Sequence, residues 1–186
     1  VFRHMTARVR FVGIRSEVMY RRIGVNNVTI TMADGHGLMV PGRFVWHNGA
    51  NACAYVADGL ALATLGTVNG GAEMIPATAA GRTLGSYYVL QEGSMEGYDP
   101  FETVSEEAGE ITLKMNIEAD LWYLSGDSGE PTFYTRKRWE NQEVTIETTT
   151  GGVMRPGYEY VVNITFNNES IILQGLQKGW EDGGVH

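Results

Sequence analysis

The sequence predicts an all-β antiparallel sandwich, and three observations carry that expectation. Apolar and polar residues alternate with period 2 in several separate stretches, which sets one strand face on a core and the other in water. Glycine makes up 24 of 186 residues, about 13% against a usual ~7%, as expected of a chain rich in turns. No stretch holds a convincing 3.6-residue period over three turns.

The first strand is marked by Met5, Ala7, Val9 and Phe11 alternating with Thr6, Arg8 and Arg10. Val28, Ile30 and Met32 alternate with Asn27, Thr29 and Thr31, and mark a second. Ile111, Leu113, Met115 and Ile117 mark a third; Val144 and Ile146 mark a fourth. Tyr158, Tyr160, Val162, Ile164 and Phe166 form the longest run. It is followed by Asn167-Asn168-Glu169-Ser170, read as a hairpin turn because Asn tolerates positive φ, and then by Ile171 and Leu173. Shorter strand candidates are 44–46, 87–91, 121–124 and 132–135. The Ala-rich stretch 50–65 is the nearest to helical and suits a short helix. Much of the glycine lies between residues 35 and 97, which predicts a loop-rich insertion there.

One domain over residues 1–186 is the expected organisation, and at this length roughly 70% of the unfolded surface can be buried without staples. A second module would need a break near residues 92–109, a segment that reads equally as a long loop. Cys53 is alone, which excludes an internal disulfide and a cysteine-based zinc site. No apolar run approaches the ~20 residues of a membrane helix. The chain opens at Val1 directly into a strand-like pattern, as the trimmed remainder of a longer precursor would.

The net charge of −8 repels phosphate and argues against nucleic acid as a partner. The basic groups Arg8, Arg10, Arg15, Arg21 and Arg22, and Arg136-Lys137-Arg138, read as solvated strand edges and turns.

Few motifs carry chemistry. Gly126-Asp127-Ser128-Gly129 resembles the nucleophile turn of chymotrypsin-like proteases, but Glu130-Pro131 follows where that family has Gly-Pro. The histidines available as a base, His4, His36 and His47, lack that family's Ala-Ala-His-Cys setting, so the segment reads as a turn between two strands. Asp34, His36 and His47 have ligand chemistry without a ligand spacing, and Asp34-Gly35-His36-Gly37 is composed like a turn. Glu96, Asp99 and Ser105-Glu106-Glu107 read as solvated loop rather than a calcium site. Ala50-Asn51-Ala52-Cys53 lacks the preceding apolar segment of a lipoprotein box, which leaves Cys53 as a small buried apolar residue. The sequons at Asn27, Asn163 and Asn168 are short enough to arise by chance. No catalytic, cofactor or metal site is therefore expected.

The two ends of the chain resemble one family. Phe2-Arg3-His4-Met5-Thr6-Ala7-Arg8-Val9 is similar to the Phe-x-His-x-x-Ala-Lys-Val segment of fimbrillin-like proteins of Bacteroidales, with Arg8 in place of the usual Lys. Arg155-Pro156-Gly157-Tyr158-Glu159-Tyr160-Val161-Val162-Asn163-Ile164 resembles their Pro-Gly-x-x-Tyr-x-Tyr-x-Ile strand, and Trp180-Glu181-Asp182-Gly183 their closing Trp-x-x-Gly. Met74-Ile75-Pro76 is similar to a Leu-Val-Pro segment. The resemblance implies the C-terminal one of two transthyretin-like sandwiches, preceded in the precursor by another sandwich and a lipidated signal. It also implies a fimbrial subunit at the cell surface, assembled with other subunits by strand exchange and contacting a host or bacterial surface ligand. Nothing after Trp180 has the pattern of a long donor strand, which suits a tip or accessory subunit. The expected assembly elements are the terminal strands, 5–12 and 171–177, since terminal strands usually sit at sheet edges; both could equally pair within the core. The alternative is a carbohydrate- or ligand-binding sandwich using Trp46, Trp122, Tyr123, Trp139 or Trp180, each of which could equally serve packing.

Overall fold

The computed structural model describes residues 4, 6–39, 43–46, 53–56, 75, 80–92, 106–125 and 130–180. Its strands are β1 (Ala7–Arg15), β2 (Arg22–Met32), β3 (Leu38–Met39), β4 (Arg43–Trp46), β5 (Cys53–Val56), β6 (Arg82–Gln91), β7 (Gly109–Ser125), β8 (Glu130–Thr148), β9 (Tyr158–Phe166) and β10 (Ile171–Gly179). One sheet has the order β10-β9-β1-β6-β3 and a second the order β2-β7-β8, while β4 and β5 form a separate pair. The described residues contain no helix, so none is long and apolar enough to cross a membrane.

The alternating pattern decides the layers. Ala7, Val9 and Phe11 of β1 and Tyr160, Val162, Ile164 and Phe166 of β9 face inward from the first sheet. Val28 and Ile30 of β2, Ile111 to Leu121 at alternate positions of β7, and Val144 and Ile146 of β8 face them from the second. All belong to one apolar cluster, so the two sheets form a sandwich. Leu84 and Val89, before the 92–109 stretch, share that cluster with Ile111 and Leu113 after it. Each fully buried Val, Ile or Phe contributes about 1.5–3 kcal/mol relative to exposure.

Several expectations are corrected. β1 is not an edge strand: it pairs with β6 on one side and β9 on the other. The β1–β9 ladder is parallel, with Arg8 opposite Glu159 and Arg15 opposite Phe166, so the sandwich is not wholly antiparallel. A parallel neighbour needs a long crossover, and β1 and β9 lie far apart in sequence. The candidates 121–124 and 132–135 are not separate strands; they are continuous parts of β7 and β8, which pair from Gly109–Thr148 to Ser125–Glu130. Local irregularities had masked that continuity. Thr135 pairs with Leu121 and Phe133 with Trp122, leaving Tyr134 as an extra, bulged residue. Asn141 sits at a second irregularity with φ of 53°, its N–H donating to Asn116 Oδ1 at 2.8 Å. The 167–170 turn forms as expected, closed by the Asn167 N–H on Ser170 O at 2.9 Å. Neither Asn167 nor Asn168 has a positive φ, because a four-residue hairpin loop is commonly built on negative-φ turns. In the 50–65 stretch the described part is strand β5, paired with β4, not helix.

Candidate functional site

The most distinctive surface is the outer edge of β10. This nine-residue strand is hydrogen-bonded to β9 in unbroken register from Ile171–Phe166 to Gly179–Tyr158. No described strand pairs with its other edge. Residues 171–177 carry no charge, and Ile172 and Leu176 point outward, 59% and 47% exposed. Proteins usually blunt an edge with Lys, Pro or short length, because unpaired backbone groups template a further strand. The neighbouring edge, β8, follows that practice with Pro131, Arg136, Lys137, Arg138, Glu143 and Glu147. β10 does not.

β10 is held rigidly where it runs beside β8. Gly175 lies against Ile146, and a Cβ there would stand 3.0 Å from Thr145 O, so only glycine permits this approach. Gln177 latches the strand: its Oε1 accepts from Thr149 N at 2.7 Å, and its Nε2 donates to Thr150 Oγ1 at 3.2 Å and Tyr160 Oη at 3.3 Å. The buried Tyr160 hydroxyl also accepts from Arg155 N at 2.9 Å, and burial raises its pKa. An open groove of about 550 Å³ follows the two edges, lined by Glu143, Thr145 and Glu147 on β8 and Leu173, Leu176 and Gln177 on β10.

A charge network ties the edge to the sheet interior. Glu159 is 4% exposed on β9. It accepts from Arg10 Nε at 2.8 Å and pairs with Arg8 Nε at 3.3 Å and Lys178 Nζ at 2.9 Å, spanning β1, β9 and β10. Burial works to raise the carboxyl pKa, but hydrogen bonds from Arg10 and Lys178, with their charges, hold it below its usual value. On the other sheet the hydrogen bond from Arg136 Nε, at 2.7 Å, keeps the Asp120 carboxyl low against burial.

The remaining sequence candidates are scattered. Asp34 and His36 form an exposed turn, with His36 N and Nδ1 at 3.0 and 2.9 Å from the carboxylate. Burial would raise Asp34, yet these contacts lower it. Among the described residues no three His, Cys, Asp or Glu side chains gather as metal ligands. His4 stacks on Trp180 at 3.5 Å between centroids, and Tyr88 lies 5.4 Å from the same indole, which accounts for Trp180 as a packing residue. Trp139 is half-buried against Phe166 at 5.6 Å, and Trp122 packs edge-on to Phe133. Among the described residues, Tyr123 is the one proposed ligand aromatic in an exposed cluster. Ser128, His47, Glu96, Asp99, Ser105, His186 and the side chains of Trp46 and Cys53 lie outside the described residues, although Ser125 and Glu130 pair on either side of 126–129. Asn27 and Asn163 lie within β2 and β9. Gly175, Gln177 and Glu159 were missed from sequence; an acid inside the otherwise uncharged run 158–166, opposite alternating arginines, was the available signal.

No family model matches the chain, and no curated protein matches it. Solved structures do. One is a fimbrial protein from Bacteroides vulgatus, 13% identical with a TM-score of 0.44, covering 97% of this chain and 56% of the other. Another, described as a "putative cell adhesion protein", is from Parabacteroides distasonis, 14% identical with a TM-score of 0.30, covering 95% and 53%. The chain thus spans about half the length of these structures. At these scores the likeness says nothing of function.

Proposed function

We propose that this chain is a module of a cell-surface fimbrial subunit, with a structural and adhesive role, and that it assembles with other subunits by β-strand exchange at the edge of β10. The observation that carries the reading is that edge: nine residues long, uncharged over 171–177, and exposing Ile172 and Leu176. A strand added there gains main-chain hydrogen bonds for affinity and side-chain pockets at alternate positions for specificity. The adjoining groove between β8 and β10 is lined by Glu143, Thr145 and Glu147 beside Leu173 and Leu176, a mixed polar and apolar surface. Gly175 and Gln177 keep the edge straight and in place, so little ordering cost falls on assembly. The motifs at both chain ends, shared in pattern with fimbrillin-like proteins, support the same reading and a location outside the cytoplasm. β1 offers no open edge to an added strand, since it pairs with β6 on one side and β9 on the other.

The test is sedimentation velocity of two variants beside the parent chain. Deleting residues 170–186 removes β10 and should leave an aggregating chain. Ile172→Lys with Leu176→Lys keeps the strand but charges its outer face, and should abolish association while leaving the melting temperature within about 2 °C, because both side chains are exposed. A deletion variant that stays a folded monomer, or a charged variant that associates like the parent, sinks the proposal.

A further inference from the structure

A second surface lies at the far end of the β7–β8 hairpin, away from the β10 groove. Arg21, just before β2, is enclosed by three phenol rings: its guanidinium carbon lies 4.4 Å from the centroid of Tyr134, 5.1 Å from Tyr20 and 5.4 Å from Tyr123. Tyr123 and Tyr134 face each other at 4.5 Å between centroids with a 58° tilt. The rings remain open to solvent, Tyr20 at 63%, Tyr134 at 45% and Tyr123 at 36%. Single exposed aromatics need no explanation, but three around one cation are a built feature. The bulge in β8 places the third of them, since Tyr134 is the residue without a partner on β7. Bulges are used in this way to re-aim a side chain.

The cation is poorly satisfied. Arg21 keeps only 12% of its side-chain surface, its Nε has no hydrogen-bond partner among the described residues, and its Nη2 donates to Tyr123 Oη at a long 3.4 Å. Its carboxylate neighbour, Glu169, stands 3.8 Å away and is 79% exposed. Glu169 is closer to Lys137, at 3.3 Å. Two cations therefore share one loosely held acid, leaving this cluster with a net charge of +1 on a chain whose total is −8. A guanidinium desolvated among aromatic rings interacts strongly with a carboxylate, preferably in a two-point geometry that Glu169 at this distance does not make.

We infer that Arg21, Lys137 and the Tyr20, Tyr123 and Tyr134 rings form a binding site for a carboxylate-bearing sugar, such as a uronic or sialic acid at a glycan end. The carboxylate displaces Glu169 and pairs with Arg21 and Lys137. The apolar C–H face of the pyranose lies on the exposed tyrosine rings, and the phenol hydroxyls meet ring hydroxyls as donors or acceptors. Tyrosine suits this work because it offers a large amphipathic contact at low entropy cost. Phosphate polymers are disfavoured by the charge of the rest of the chain. The inference supplies a ligand for the adhesive part of the proposed role. It is tested on the isolated chain, so failure of sugar binding and failure of strand assembly are read apart.

The experiment is calorimetric titration of the full chain with glucuronate, N-acetylneuraminate and, as the neutral counterpart, glucose. At least one acid should bind about tenfold tighter than glucose, a difference of about 1.4 kcal/mol; which acid binds identifies the glycan class. Tyr134→Ala and Lys137→Gln, two independent variants at exposed or half-exposed positions, should each weaken that binding about tenfold. Glu169→Gln should strengthen it by removing the internal competitor. Equal binding of glucose and both acids, no saturable binding of either acid, or unchanged binding in both weakening variants overturns the inference.

Discussion

Replacing Glu159 with Gln tests whether the buried carboxylate holds the edge strand in place. The substitution keeps shape but removes the charge that Arg10, Arg8 and Lys178 share at 2.8, 3.3 and 2.9 Å. Breaking a fully buried pair costs about 3–5 kcal/mol because an uncompensated charge remains inside. Here the acid side chain is 6% exposed but its cations keep 22%, 29% and 54% of their surface, so they recover much of their hydration. The expected loss is therefore smaller, about 1–3 kcal/mol after solvent screening. For a chain of this length each kcal/mol moves the melting temperature about 2–4 °C, which predicts a drop of about 2–12 °C at pH 7. The pH dependence has a definite sign. The folded pKa of Glu159 is depressed, so its stabilisation is fully present above the unfolded value of about 4.3 and is lost as pH falls through the lower folded value. The gap between parent and variant should thus close as pH falls below about 4. Thermal melts followed by circular dichroism at constant ionic strength, from pH 7 to pH 3, measure both quantities. A drop under 1 °C at pH 7, or a gap that stays constant with pH, would refute the charge argument.

Two further substitutions probe how β10 is seated. Gly175→Val drives a side chain into Ile146 and Thr145 O and should cost about 1–3 kcal/mol by overpacking, seen as a lower urea midpoint with an unchanged slope; a neutral result would mean that β10 does not lie against β8. Tyr160→Phe leaves the Arg155 N–H and Gln177 without their shared acceptor and should lose about 1–3 kcal/mol in the same assay, whereas an unchanged midpoint would show the hydroxyl to be idle.

The legible part of this protein is what short-range pattern encodes. Alternation over 158–166 marks β9 with its true ends, and the four polar residues after it mark the turn to β10. Where the pattern broke, the reading broke with it. The bulge at Tyr134 and the turn-like Asn141 interrupted the alternation of β8, so one nineteen-residue strand read as two. The sugar-site candidate was nearly invisible for a different reason. Tyr123 was noted as a candidate ligand aromatic, but Tyr20, Arg21, Tyr134, Lys137 and Glu169 come from three other stretches with no common spacing. The pairing of β7 with both β2 and β8, together with the turn between β9 and β10, brings them together.

The sequence by itself determined the class of fold, because strand faces follow from a two-residue period and turns from local backbone preference. Which strands stand at edges was decided by tertiary structure alone. Pairing order depends on hydrogen bonds between segments far apart in the chain, and both neighbours of β1 were needed to show that it lies inside the sheet while β10 does not. The same long-range pairing sets Glu159 among three cations and closes three tyrosines around Arg21, contacts that no local pattern specifies.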